Sequence, residues 1–258
     1  MKPYLFSSPR RNKIFLSIVI PAYNEVGNIK KGVLAQVSTY LRTVNFSYEV
    51  IIVDDGSTDD TRILVKNWIR GKEKWCLVEN EHGGKALAVM TGLLAAKGDI
   101  ALFTDMDQAT PIGQVEKFLP KFAERYNVVI GSRTGRKGAP ILRKLAAWGF
   151  TFLRSVILGL PLSDTQCGFK AFDKKSREAI FPRMMESWEK MRAHGAAVHA
   201  GFDVETLYLA KKMEFKIAEV PVEWQYVGTE RVQLIKDSID AIKDILRIRW
   251  YAIKGEYK

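Results

Sequence analysis

Five short, unbroken apolar runs, each followed by a stretch with helical character, constrain this chain more than any other feature. They fall at residues 16–20, 48–53, 75–78, 100–103 and 127–130. Between them, helices are expected over residues 26–42, up to about 70, over 85–96 and over 114–125. Strands that are apolar on both faces belong in a parallel sheet covered by helices. The expected fold class is therefore α/β, a mostly parallel, Rossmann-like sheet flanked by helices. In such sheets ligands sit outside the carboxyl ends of the strands. Polar clusters at residues 23–25, 54–59, 105–108 and 131–133 all fall at those ends. Any one of them is an ordinary loop; four on one edge predict a site.

The last strand of the first half runs into Thr104-Asp105-Met106-Asp107. If the chain stays extended there, both carboxylates point to the same side. Two hard oxygen ligands make a seat for Mg2+ or Mn2+ carrying a diphosphate. In isolation the same pattern describes a surface turn. Gly83-Gly84 lets a ligand approach the backbone closely, and Lys85 opens a helix where phosphate is welcome. Residues 54–59 also make a good turn and helix cap, with Ser57 or Thr58 capping and Asp59 in the first turn. Asp54 is the more structural of its acidic pair. Glu25 either touches a ligand or favours the start of its helix. His82, His194 and His199 have no metal-ligand partner at a useful spacing and receive no role.

The second half is less regular. Helices are expected over residues 142–158, 203–213 and 232–249, with short strands over 168–172 and 215–222. Helix 232–249 is amphipathic with basic ends, through Ile235, Ile239, Ile242, Ile245, Leu246 and Ile248. Residues 142–162 carry aromatics and basic flanks. They suit the membrane interface better than the core, and Arg154 makes them a poor spanning helix. No repeat or low-complexity linker divides the chain. One domain is expected: residues 15–133 as a nucleotide-binding half, 134–230 as an acceptor half, 231–258 as a C-terminal helix. Lys and Arg total 40 against 29 Asp and Glu, a net +11 that favours anionic partners: nucleic acid, anionic lipid or phosphorylated substrates. Two distant cysteines form no disulfide or zinc pattern and fit a reducing compartment. The first residues lack the apolar core of a signal peptide.

The segments Ile20-Pro21-Ala22-Tyr23-Asn24-Glu25, Val53-Asp54-Asp55-Gly56-Ser57-Thr58-Asp59, Gly84-Lys85-Ala86 with Gly92, and Asp105-Met106-Asp107 resemble, in order and spacing, inverting family-2 glycosyltransferases of the GT-A type. Asp164-Thr165-Gln166-Cys167-Gly168-Phe169-Lys170, Gly201-Phe202-Asp203-Val204-Glu205 and Ile217-Ala218-Glu219-Val220 look like dolichyl-phosphate β-glucosyltransferases in particular, as does Lys243-Asp244-Ile245-Leu246-Arg247-Ile248-Arg249. The resemblance implies that Pro21, Tyr23, Glu25, Asp55, Lys85 and Asp105 bind a nucleotide sugar. Tyr23 would lie along the base and Asp55 would accept from its imide N–H. Asp105 and Asp107 would hold Mg2+ or Mn2+. Several relatives have a side-chain oxygen two residues after the second Asp; here Ala109 stands there, leaving Thr110 or water. Arg133 would meet phosphate, with Arg143 and Arg136 adding to a basic rim, whereas Lys137 and Lys144 read as a solvated or lipid-facing charge run. Asp164 would be a catalytic carboxylate that either takes a proton or orients the acceptor. One of Asp203 and Glu205 would join the site or merely stabilise its helix.

The implied reaction moves glucose from UDP-glucose to a polyprenyl monophosphate, dolichyl or undecaprenyl, with inversion. A mannosyltransferase using GDP-mannose is the enzymatic alternative. A nucleic-acid-binding protein or an inactive membrane scaffold is the non-enzymatic one. The expected partners are donor, lipid and membrane surface, with the protein peripheral on the cytoplasmic face.

Overall fold

The strands form where the sequence is continuously apolar, and their registers bring the polar loops together. A computed structural model describes residues 13–133, 141–193, 201–225 and 234–257. Two compact units divide the chain, one ending at Met106 and the other starting at Asp107.

The first unit holds β1 (Leu16–Ala22), α1 (Val26–Lys30), α2 (Val33–Leu41), β2 (Tyr48–Asp54), α3 (Thr61–Ile69), β3 (Trp75–Glu79), α4 (Lys85–Ala95) and β4 (Ile100–Thr104). Its strands run in the order β3-β2-β1-β4, all parallel. β1 is buried along its whole length, as a strand covered on both faces must be. Ala22 pairs with Asp54, and Asp54 with Glu79. The loops beginning at Tyr23, Asp55 and Asn80 therefore leave the sheet side by side. Helix α4 lies directly on β1 and β2. A Cβ at Gly92 would meet Val19 and come within 2.9 Å of Val53. That close approach fixes the position of Lys85 at the helix start.

The second unit opens with a 3-10 turn, Ile112–Lys117, then α5 (Leu119–Ala123) and β5 (Val128–Arg133). It continues with α6 (Ile141–Leu158), β6 (Phe169–Asp173), α7 (Lys174–Ala193), α8 (Phe202–Lys212), β7 (Ile217–Val222) and α9 (Leu234–Lys254). β5 pairs in parallel with β7 and antiparallel with β6. The strand pairings are thus mostly parallel and flanked by helices, the expected class. Among the described residues no helix is long and apolar enough to cross a membrane.

Several elements differ from expectation. Helix 26–42 is broken at Gly32, whose φ of +83° ends one helix and starts the next. Helix 114–125 is a 3-10 turn followed by α5, because Pro120 has no N–H to continue the ladder. The antiparallel β6 has no signature in a short apolar run, which reads the same in either direction. α7, 20 residues long, has no counterpart among the expected elements; Pro182 inside it breaks the helical pattern in the sequence.

α6 packs against α9. Arg154 of α6 is buried, not facing solvent: it donates to Thr165 Oγ1 at 2.8 Å and to the Leu162 carbonyl. The apolar residues of α9 divide between two faces. Ile245 and Ile248 are buried with Asp244, whereas Ile239, Ile242, Leu246, Trp250 and Ile253 are exposed. At helical spacing these five form one stripe, opposite the buried face.

Candidate active site

In the first unit the carboxylate of Asp55 organises the loop between β3 and α4. It is buried, and it accepts from Gly83 N at 3.0 Å and Gly84 N at 2.8 Å. His82 Nδ1 lies 2.9 Å from Asp55 Oδ2. The His82 ring stacks on Tyr23, with centroids 4.2 Å apart and planes 22° from parallel. Asp55, Gly83 and Gly84 are thus tied together directly, and Tyr23 joins them through the His82 ring. His82, set aside for want of a metal-ligand partner, joins them. Its position beside Gly83-Gly84 in a polar strand-end loop was the available signal.

Asp54 is fully buried and accepts from Arg62 Nε at 2.9 Å, a structural role. Ser57 and Thr58 do not cap α3, which begins at Thr61 after Asp60. They face Asn24 instead: Ser57 Oγ accepts from Asn24 N, and Asn24 Oδ1 accepts from Thr58 N. This cross-brace joins the two loops that carry Tyr23 and Asp55. Glu25 accepts from Asn28 Nδ2 at 2.5 Å, and Pro21 is buried within β1. Lys85 Nζ sits 2.5 Å from Asp105 Oδ1, so a cation already neutralises that carboxylate.

β4 ends at Thr104, and Asp105-Met106-Asp107 leads into a turn. Alternation along an extended strand therefore does not orient the pair; Met106 is buried, while both aspartates are half-buried. The turn is closed by Ala109 N donating to Asp107 Oδ1 at 2.9 Å, and Gln108 takes a left-handed φ of +51°. Thr110, the suggested third ligand, is buried with its hydroxyl 4.0 Å from Cys167 Sγ. Carboxylate oxygens are the donor type that a hard divalent cation takes. No cluster of three or more candidate ligands exists among the described residues.

In the second unit Arg133 ends β5 and grips Asp164 with a fork. Nε donates to Oδ2 at 2.6 Å and Nη2 to Oδ1 at 2.8 Å, while the Arg133 backbone N–H also reaches Oδ2 at 3.1 Å. Burial alone would raise the Asp164 carboxyl, but the Arg133 hydrogen bonds and charge prevail and hold it down to about 2. The loop bearing Asp164 is pinned from two further sides. Glu219 of β7 accepts from Ser163 N at 2.9 Å and Asp164 N at 2.8 Å, and Arg154 binds Thr165. Because Arg133 is in register with Val222, Trp224 comes beside it, its ring 5.8 Å from the guanidinium carbon. Sequence reasoning gave no role to Glu219, Arg154 or Trp224.

Asp203 binds buried Lys170 at 2.6 Å. Glu205 is buried, accepting from Trp188 Nε1 at 3.1 Å and Tyr257 Oη at 2.8 Å, and burial pushes its carboxyl up. Its partners make it a core residue. Arg143 falls in α6, but its side chain lies outside the described residues, as do Arg136, Lys137, Lys144, His194 and His199.

The sequence pattern of glycosyl transferase family 2 matches residues 17–181. The chain belongs to that family. This glycosyltransferase is 33% identical to a dolichyl-phosphate β-glucosyltransferase of Dictyostelium discoideum, over 96% of this chain and 77% of that one. It is 31% identical to the Saccharomyces cerevisiae protein of the same name, over 95% and 77%. Among solved structures, glucosyl-3-phosphoglycerate synthase of Mycobacterium tuberculosis, crystallised with Mn2+, UDP and glucosyl-3-phosphoglycerate, has a TM-score of 0.63. It shares 20% identity over 92% of this chain and 80% of that one. The fold is that of GT-A glycosyltransferases.

Proposed function

We propose that this glycosyltransferase moves glucose from UDP-glucose to dolichyl phosphate or a similar polyprenyl monophosphate, with inversion at C1. The observation that carries the acceptor assignment is the Arg133–Asp164 fork. Both Asp164 oxygens are occupied by a cation, so it is a poor base for a hydroxyl nucleophile. A phosphate monoester is already ionised and needs no base. Asp164 instead aims the guanidinium, whose Nη1 has no partner among the described residues. That group suits a phosphate oxygen. The similarity to dolichyl-phosphate glucosyltransferases runs through this half of the chain as well.

On the donor side, Tyr23 lies along the base and Asp55 accepts from its imide N–H. Lys85, at a helix start, meets the diphosphate. Asp105 and Asp107 hold Mg2+ or Mn2+, which neutralises charge on the leaving diphosphate. The Mn2+ and UDP of the Mycobacterium tuberculosis synthase support a divalent cation on this fold. The exposed stripe of α9, flanked by Lys243, Arg249 and Lys254, rests on the membrane that holds the acceptor. Two free cysteines fit the reducing, cytoplasmic face.

The test is incubation of purified protein with Mg2+ or Mn2+, a short-chain polyprenyl phosphate and either UDP-glucose or GDP-mannose, followed by mass spectrometry of the lipid. A glucosyl lipid is expected from UDP-glucose alone, with activity abolished by EDTA. Product only from GDP-mannose overturns the donor, and full activity in EDTA overturns the metal.

A further inference from the structure

The loop between β3 and α4 places an imidazole where the base is expected. His82 stacks on Tyr23 at 4.2 Å and approaches Asp55 Oδ2 at 2.9 Å through Nδ1. These are the two groups assigned to the base: an aromatic face and a carboxylate that accepts a ring N–H. The His82 ring covers the Tyr23 face and lies beside that carboxylate, while its Nδ1 is also 3.1 Å from the Asp55 backbone carbonyl oxygen.

The His82 backbone is fixed by its neighbours, and its ring, among the described residues, by the Tyr23 stack and Asp55 alone. Gly56, at a φ of +71°, leaves no room for a Cβ, which would come within 2.7 Å of His82 N. On the other side, Asp55 holds Gly83 N and Gly84 N. The imidazole itself is 55% exposed and can turn into solvent without opening the core.

We propose that His82 stands in for the nucleobase in the free enzyme and is displaced by it. This rests on the reading that Tyr23 and Asp55 hold the base. Donor binding must then break one stack and the contact of His82 Nδ1 with Asp55, so the apparent affinity falls by the fraction of enzyme in which the ring has swung away. The same exchange assists release, because the returning ring covers the site UDP has left.

Calorimetric titration of UDP in Mn2+ tests this with wild type, His82→Ala and Tyr23→Ala. His82→Ala should bind UDP about three- to tenfold more tightly, as the closed population is removed, with the melting temperature retained. Weaker or unchanged UDP binding by that variant overturns the displacement. Unchanged UDP binding by Tyr23→Ala would instead refute the base site on which it rests. NMR gives a second readout: the His82 ring protons should leave the Tyr23 ring current when UDP is added, and static resonances under saturating UDP also overturn the proposal.

Discussion

At the scale of single residues, the proposed acceptor site rests on the Arg133–Asp164 pair. Arg133→Ala leaves a buried carboxylate without its cation and should cost about 3 kcal/mol in unfolding free energy, measured by denaturant melts. Turnover should fall on the order of 100-fold. Arg133→Lys keeps the charge but not the fork, so it should recover stability more than rate. The Asp164 carboxyl lies at about 2, below its ordinary 3.8. A depressed carboxyl stabilises the fold above the unfolded value and loses that contribution as the pH falls towards the folded one. Stability should therefore drop between roughly pH 4 and pH 2. Asp164→Asn should flatten this limb in acid melts; an unchanged limb would show that other carboxylates dominate it. Asp107→Asn should abolish turnover while leaving the melting temperature unchanged, and normal turnover would remove Asp107 from the metal site.

At the scale of elements, two helices bear on the proposed function through how they are packed. α4 sets Lys85 because Gly92 lets it lie on Val19 and Val53, two stiff β-branched side chains. Gly92→Ala should destabilise the protein by about 1–3 kcal/mol and raise the KM for UDP-glucose, read from melts and initial rates. A neutral effect on both would mean that the helix position does not tune the donor site. α9 carries an apolar stripe on its solvent side, with cationic side chains along it. Leu246→Glu combined with Trp250→Glu should weaken binding to anionic phospholipid vesicles by about tenfold or more. Activity on a water-soluble short-chain acceptor should persist. Equal vesicle binding by this variant would sink the membrane role of the stripe.

At the scale of the whole molecule, the net charge of +11 should make vesicle association fall as salt rises, since exposed charges are screened over about 8–10 Å at physiological ionic strength. Co-sedimentation across a salt series checks this, and indifference to salt would leave apolar contact as the sole attachment. The sequence by itself determined the α/β class and, apart from the break at Gly32, the order of strands and helices in the first unit, because continuous apolar runs and helical periodicity are local properties. It also determined which loops carry polar clusters, since strand ends fix where loops begin. Only the tertiary structure decided what those clusters do to one another. The register of β1, β2 and β3 brings His82 onto Tyr23 and Asp55, three residues from three separate loops. The pairing of β5 with β7 and the bracing of residues 163–165 turn Asp164 from a candidate base into the partner of Arg133. The direction of β6, the break at Gly32 and the division of α9 into a buried and an exposed apolar face were settled in the same way. Each depends on which surface meets which, and contacts between residues distant in the chain leave no periodicity to read.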